Sequence, residues 1–232
     1  MRVALITGVG PGLGAALARR FARGGYAVGL VARHEEFIDQ LAAEISHAGG
    51  KAIGVVADVS HPEEVKTAVA QVRARLGRIS LLLHNASAAN REGLLGTTPA
   101  EFESAWRVAS LGGFVCAQET ARDMIEAGAG TMIFTGATSS VRGGGWLAFS
   151  SAKFALRGLV QSLARELWPR GVHVAHAVVD GIIAAPGATP SPDEPQLDPG
   201  QMAEAYWHLA QQNRSAWTLE LDLRPNDETF FE

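Results

Sequence analysis

The stretch Val3-Ala4-Leu5-Ile6-Thr7-Gly8-Val9-Gly10-Pro11-Gly12-Leu13-Gly14 runs an apolar segment straight into a glycine-rich turn and then into an amphipathic stretch. Val3–Ile6 is short and wholly apolar, as suits a strand buried on both faces. Leu13–Arg23 carries apolar residues at helical spacing. Gly8 permits the tight turn between the two, Gly12 lets the backbone approach a pyrophosphate, and Gly14 permits close helix packing. Gly10 and Leu13 complete the loop. The N-terminus of the following helix favours negative charge, so the unit reads as a dinucleotide cradle.

The same alternation continues outward. Ala27–Val31, Ala52–Val56, Ile79–Leu83, Thr131–Phe134 and Val172–Val178 are strand-like, and Glu35–Ala48, Pro62–Leu76, Pro99–Glu126 and Phe149–Trp168 are helical between them. Ser60-His61-Pro62-Glu63-Glu64 and Thr98-Pro99-Ala100-Glu101 are helix starts, with proline in the first turn and acidic residues beside it. Strict β-α alternation predicts an α/β fold: a Rossmann-type, doubly wound parallel sheet of about seven strands with helices on both faces. Beyond Gly181 the pattern changes. Residues 185–200 hold five prolines and read as a candidate lid on the substrate side, because ligands in such folds sit at the carboxyl ends of the strands. Residues 201–232 supply a short helix, Gln201–Gln212, and a final strand, Trp217–Leu223. Residues 1–232 therefore form one dinucleotide-binding domain.

Composition narrows the function classes. The chain has 232 residues, is 47% hydrophobic and has a net charge of −4, so it buries a core unaided and has no basic block for nucleic acid. One cysteine, Cys116, excludes an internal disulfide; set in Phe114-Val115-Cys116-Ala117, it reads as a buried, inert thiol. The N-terminal apolar stretch, about five residues, is too short for a signal peptide, and no segment approaches the roughly 20 apolar residues of a membrane span. The expected setting is reducing and cytoplasmic, with no membrane partner and no metal.

The spacing Thr7-Gly8-x-x-x-Gly12-x-Gly14 resembles the short-chain dehydrogenase/reductase family, as do several other segments between residues 2 and 185. Ala57-Asp58-Val59 resembles the segment whose Asp contacts the adenine. His84-Asn85-Ala86-Ser87 resembles the family's Asn-Asn-Ala-Gly, and Asp180-Gly181 stands where Pro-Gly follows the sixth strand, with Ile183 just beyond. The resemblance implies a nicotinamide cofactor held by Gly8, Gly10, Gly12, Leu13, Gly14, Asp58, Val59, Asn85, Ala86, Lys153, Gly181 and Ile183. It also implies a homodimer or homotetramer. At the end of the second strand, where an acidic residue would select NAD, the chain has Ala32 followed by Arg33. A guanidinium there pairs with a 2′-phosphate, so NADP is expected over NAD; a solvated surface arginine is the alternative.

The family's catalytic residues are Asn, Ser, Tyr and Lys, and most of these identities are absent. The motif reads Phe149-Ser150-Ser151-Ala152-Lys153: Lys153 is present, one helical turn from position 149, but Phe149 occupies the tyrosine position and cannot move a proton. The serine position falls near Gly136–Ala137, with Ser139 or Thr138 as substitutes, and the asparagine position is Ala109. Ser139, Ser150, His84, Asp180 and Tyr206 are alternative donors; for Tyr206 packing against Trp207 is the competing reading. Two functions are therefore expected. One is an NADP(H)-dependent oxidoreductase acting on a carbonyl, an alcohol or an activated alkene, with Lys153 and Ser139 as catalytic candidates and a non-standard proton donor. The other is a catalytically inactive NADP-binding sensor or regulatory protein. The substrate has no signature in the sequence.

Overall fold

The computed structural model describes residues 1–89, 91–185, 187 and 195–228. Chain order begins β1 (Arg2–Thr7), α1 (Leu13–Arg23), β2 (Tyr26–Ala32), α2 (Glu35–His47), β3 (Lys51–Val56), α3 (Pro62–Leu76), β4 (Ile79–His84) and α4 (Pro99–Trp106). It continues with α5 (Gly112–Ala127), β5 (Gly130–Thr135), α6 (Leu147–Leu167), β6 (Val172–Val179), β7 (Ile182–Ile183), β8 (Gln196–Leu197), α7 (Pro199–Ala210) and β9 (Glu220–Leu223). The main sheet has seven strands in the order β3-β2-β1-β4-β5-β6-β9, all parallel. The crossover from β3 back to β4 reverses the direction of winding beside β1, the place where such sheets open a crevice at their carboxyl ends.

Each face of the sheet has its own core. On one side Leu17 and Phe21 of α1, Ile38 and Leu41 of α2, and Met202, Tyr206 and Leu209 of α7 pack on Ile6, Leu30 and Leu83. On the other side Val65, Val69 and Val72 of α3, Val115 and Cys116 of α5, and Leu156 and Val160 of α6 pack on Leu5, Leu82 and Phe134. Central strands buried on both faces explain the unbroken apolar runs, and every residue of β6 is buried. Cys116 is inside this core, and burial pushes its thiol up to about 12, which keeps it protonated and inert.

Two expectations need correction. The helix expected over Pro99–Glu126 is interrupted by a π-helical turn at Arg107–Leu111. It opens on a capping box, in which Glu101 N donates to Thr98 Oγ1 (3.3 Å) and Thr98 N donates to the Glu101 carboxylate (2.8 Å). Past the π turn, Gly112 lies so close to Val59 that a Cβ would stand 2.9 Å from the Val59 carbonyl oxygen, a tertiary contact that a helical period does not reveal. The final strand is Glu220–Leu223 alone, because Arg214–Ala216 forms a 3₁₀ turn and Trp217 stacks on His173 at 4.9 Å. Residues 186 and 188–194 of the lid expected over 185–200 lie outside the described residues; at its far end Gln196–Leu197 pairs in parallel with Ile182–Ile183. No helix among the described residues is long and apolar enough to cross a membrane.

Candidate active site

A cleft of about 960 Å³ opens at the carboxyl ends of β1, β4, β5 and β6. Gly8, Gly10, Gly12, Leu13 and Gly14 line one side, together with Asn85, Gly181 and Ile183. The loop needs its glycines for two reasons. Gly8 has φ +70°, and a Cβ there would stand 2.4 Å from the Ala86 backbone, so Ala86 is the buried floor beneath the loop and not part of the cleft wall. A Cβ on Gly14 would stand 2.8 Å from the Gly8 carbonyl oxygen. Asn85 fixes the loop from the side, its amide donating to the Gly8 carbonyl at 3.1 Å. Above Gly10 nothing lies within 4 Å of a Cβ position, and no side chain caps α1 at Gly12. An uncapped helix N-terminus facing an open glycine loop fits the pyrophosphate of a dinucleotide.

Arg33, Asp58 and Val59 lie apart from this cleft, at the carboxyl ends of β2 and β3 on the adjoining side of the sheet. Burial pushes the Asp58 carboxyl up, but the backbone hydrogen bond from Ser60 (2.9 Å) and the charges of Arg33 and His61 outweigh it and hold it below the usual range. Arg33 is exposed there.

His84 is no proton donor to the cleft. It is fully buried, and its ring bridges Thr7 Oγ1 (2.9 Å to Nδ1) and the Ala109 carbonyl (3.1 Å to Nε2). A carbonyl only accepts, so Nε2 carries the proton and Nδ1 accepts from the Thr7 hydroxyl. Burial lowers its pKa to about 4, so the ring stays neutral and ties β1 to the π turn.

Lys153 is the central group. It is 2% exposed yet lines the cleft, one turn along α6 from Phe149, and its Nζ lies 5.5 Å from the Phe149 ring centroid. Nζ donates to the Thr135 carbonyl at 2.8 Å. Burial pulls its pKa down to about 8. The Phe149 ring meets Trp146 at 5.7 Å, and both aromatics line the same wall. Tyr206 does not reach this space. It is fully buried on the far face of the sheet, where its hydroxyl meets Thr135 Oγ1 at 2.9 Å, and burial raises its pKa. Its neighbour Trp207 packs instead on Phe21 and Tyr26.

Around the serine position the backbone is crowded from below. A Cβ on Gly136 would stand 2.1 Å from His176 Nε2 and 2.9 Å from Ser140 Oγ. His176 is 1% exposed, and burial lowers its pKa to about 4, so it is neutral and its Nδ1–H points to Glu220 at 3.3 Å. Gly136→Ser is therefore expected to destabilise the protein by about 1–3 kcal/mol or more through overpacking, read as a lowered thermal midpoint, whereas Ala137→Ser, on the cleft wall, leaves the midpoint nearly unchanged. Ser139 lines the cleft; Ser150 does not, being buried and facing the Gly144 N–H at 3.4 Å.

Asp180 stands after the sixth strand as its sequence position implies, but its setting is a tertiary one. Its carboxylate accepts a hydrogen bond from Thr138 Oγ1 and pairs with Arg224 at 3.0 Å, joining the ends of β5, β6 and β9 at the cleft. Arg224 is distant in sequence, so no local pattern could have signalled the contact.

Residues 2–195 match the short chain dehydrogenase family. The chain belongs to the short-chain dehydrogenase/reductase family. It is 37% identical over 186 residues to the short-chain reductase protein NovJ of Streptomyces niveus, covering 79% of this chain and 70% of that protein. A short-chain dehydrogenase from Rhodopseudomonas palustris superposes with a TM-score of 0.85 at 37% identity, covering 97% of this chain and 98% of the other. An alcohol dehydrogenase from the archaeon Thermococcus sibiricus, complexed with 5-hydroxy-NADP, superposes with a TM-score of 0.89 at 27% identity, covering 99% and 98%. As a short-chain dehydrogenase/reductase the chain has the fold of nicotinamide-dependent oxidoreductases, with the cleft at the expected end of the sheet.

Proposed function

We propose that this short-chain dehydrogenase/reductase is an NADP(H)-dependent oxidoreductase acting on a carbonyl, an alcohol or an activated alkene, and that the Lys153 ammonium supplies its proton. One observation carries the reading: a buried lysine at the wall of the cleft, with the Thr135 carbonyl as its one hydrogen-bond partner among the described residues. An ammonium has more than one N–H donor, so it retains donors for a substrate oxygen. A pKa of about 8 leaves it protonated at neutral pH and still acidic enough to give the proton up. The bound nicotinamide supplies the hydride. Ser139, which also lines the cleft, orients a polar substrate group in this reading, and Phe149 with Trp146 excludes water from one side.

Arg33 supports NADP over NAD, as does the likeness to the Thermococcus sibiricus enzyme complexed with 5-hydroxy-NADP. Arg33→Ala is expected to weaken NADPH binding by about 10–100-fold and leave NADH binding nearly unchanged, since a charge-assisted pair to the 2′-phosphate is all that it removes. Fluorescence titration of both cofactors reads this directly; equal losses for the two would remove the role of Arg33. We further propose a homodimer or homotetramer in a reducing, cytoplasmic setting. Phe102, Trp106, Phe114 and Phe154, each about 40% exposed on α4, α5 and α6, supply the apolar surface for it, and light scattering on the purified protein reads the state.

A further inference from the structure

Three charged residues line the main cleft: Lys153, Asp180 and Arg142. Lys153 is engaged by the Thr135 carbonyl, and Asp180 is matched by Arg224. Arg142 has no carboxylate or carbonyl partner for its guanidinium among the described residues. Its base is nevertheless fixed. The Arg142 N–H donates to the Thr138 carbonyl at 2.9 Å, and Thr138 is itself tied to Asp180. Arg142 is exposed, and Gly143, Gly144 and Gly145, which follow it along the cleft lining, are exposed as well and have nothing within 4 Å of a Cβ position. Arg142 belongs to the segment between β5 and α6, far in the sheet from Arg33 at the end of β2. It is thus separate from the cation assigned to the cofactor.

We infer that Arg142 is a specificity residue and that the substrate is a carbonyl compound bearing a carboxylate, an oxo acid or the corresponding hydroxy acid. This rests on the oxidoreductase reading and names the substrate class of the same cleft. A guanidinium presents a planar fork of donors that matches a carboxylate with two hydrogen bonds. The positive charge in the cleft attracts that anion, whereas a neutral ester accepts only weaker, uncharged hydrogen bonds from it. Phe149, packed on Trp146 whose ring also carries the Arg91 guanidinium at 4.7 Å, offers an apolar face to an aryl remainder.

The test uses benzoylformate and its methyl ester, an acid and a neutral form of one aryl oxo compound, titrated by calorimetry into the protein with and without NADP. The acid is expected to bind at least about tenfold more tightly than the ester, a ratio that falls to about one in Arg142→Ala and is partly kept in Arg142→Lys. A ratio near one in the parent protein, a ratio that survives Arg142→Ala, or binding of neither probe at millimolar concentration overturns the inference. NADPH affinity, measured on the same samples, is expected to be equal in the parent and Arg142→Ala. Absence of NADPH binding would count against the oxidoreductase reading, whereas NADPH binding without acid preference would count against Arg142 alone.

Discussion

Lys153→Met is expected to lower kcat/KM for NADPH-dependent carbonyl reduction by about 10³-fold, within the range that a positioned proton donor contributes. The side chain keeps its length and loses its charge. The protein should stay folded, because the site is apolar enough to pull the ammonium down to about 8 and a neutral residue suits it. The loss at the Thr135 carbonyl is one hydrogen bond. The pH profile separates a proton donor from a structural residue. With the donor protonated below about 8, the parent's reduction rate falls as pH rises through that value, and oxidation of the alcohol rises over the same interval. Lys153→Met removes this limb. Steady-state rates from pH 6 to 10 on a carbonyl and enone panel decide the matter: an unchanged profile in the variant would rule out Lys153 as the proton source.

Phe149→Tyr is expected to act in the opposite direction, raising the rate of carbonyl reduction by about 10²-fold, the lower end of the acid-base range because Lys153 already donates. The Phe149 ring lies on the cleft wall with Lys153 Nζ 5.5 Å from its centroid, so a phenol hydroxyl is added beside a cation. That cation favours the phenolate and lowers the tyrosine pKa. The gain should largely vanish when Phe149→Tyr is combined with Lys153→Met, since the two groups then act as one unit, and the double-mutant cycle measures the coupling. No gain in the single variant, in a protein that binds NADPH, would mean that proton transfer does not limit the reaction and would favour an activated alkene over a carbonyl.

How much of this was legible beforehand depends on the kind of contact. Gly8, Gly12 and Gly14 were readable because their roles are local: a turn, a backbone approach and a helix start within a few residues. The strands were readable because burial on both faces leaves an unbroken apolar run, as in β6. The break at Arg107–Leu111 was not: Gly112-Gly113 weakens the helix beside it, but the contacts around the turn lie across the fold, with His84 at the Ala109 carbonyl and Val59 against Gly112. Tyr206 was ambiguous for the same reason. Its place in the chain allowed it to lie over the site, and only the packing of α7 on the far face of the sheet removed it.

The sequence by itself determined the parallel α/β fold, the dinucleotide loop and the pairing of positions 149 and 153 on one helix face, all of which follow from short-range spacing and periodic burial. Tertiary structure decided what that site can do. It buried Lys153 against the Thr135 carbonyl and so made its ammonium acidic, and it filled the space under Gly136 with His176. It also matched Asp180 to Arg224 and left the Arg142 guanidinium without a partner among the described residues. Burial and pairing of charge depend on residues distant in the chain, which no local pattern encodes.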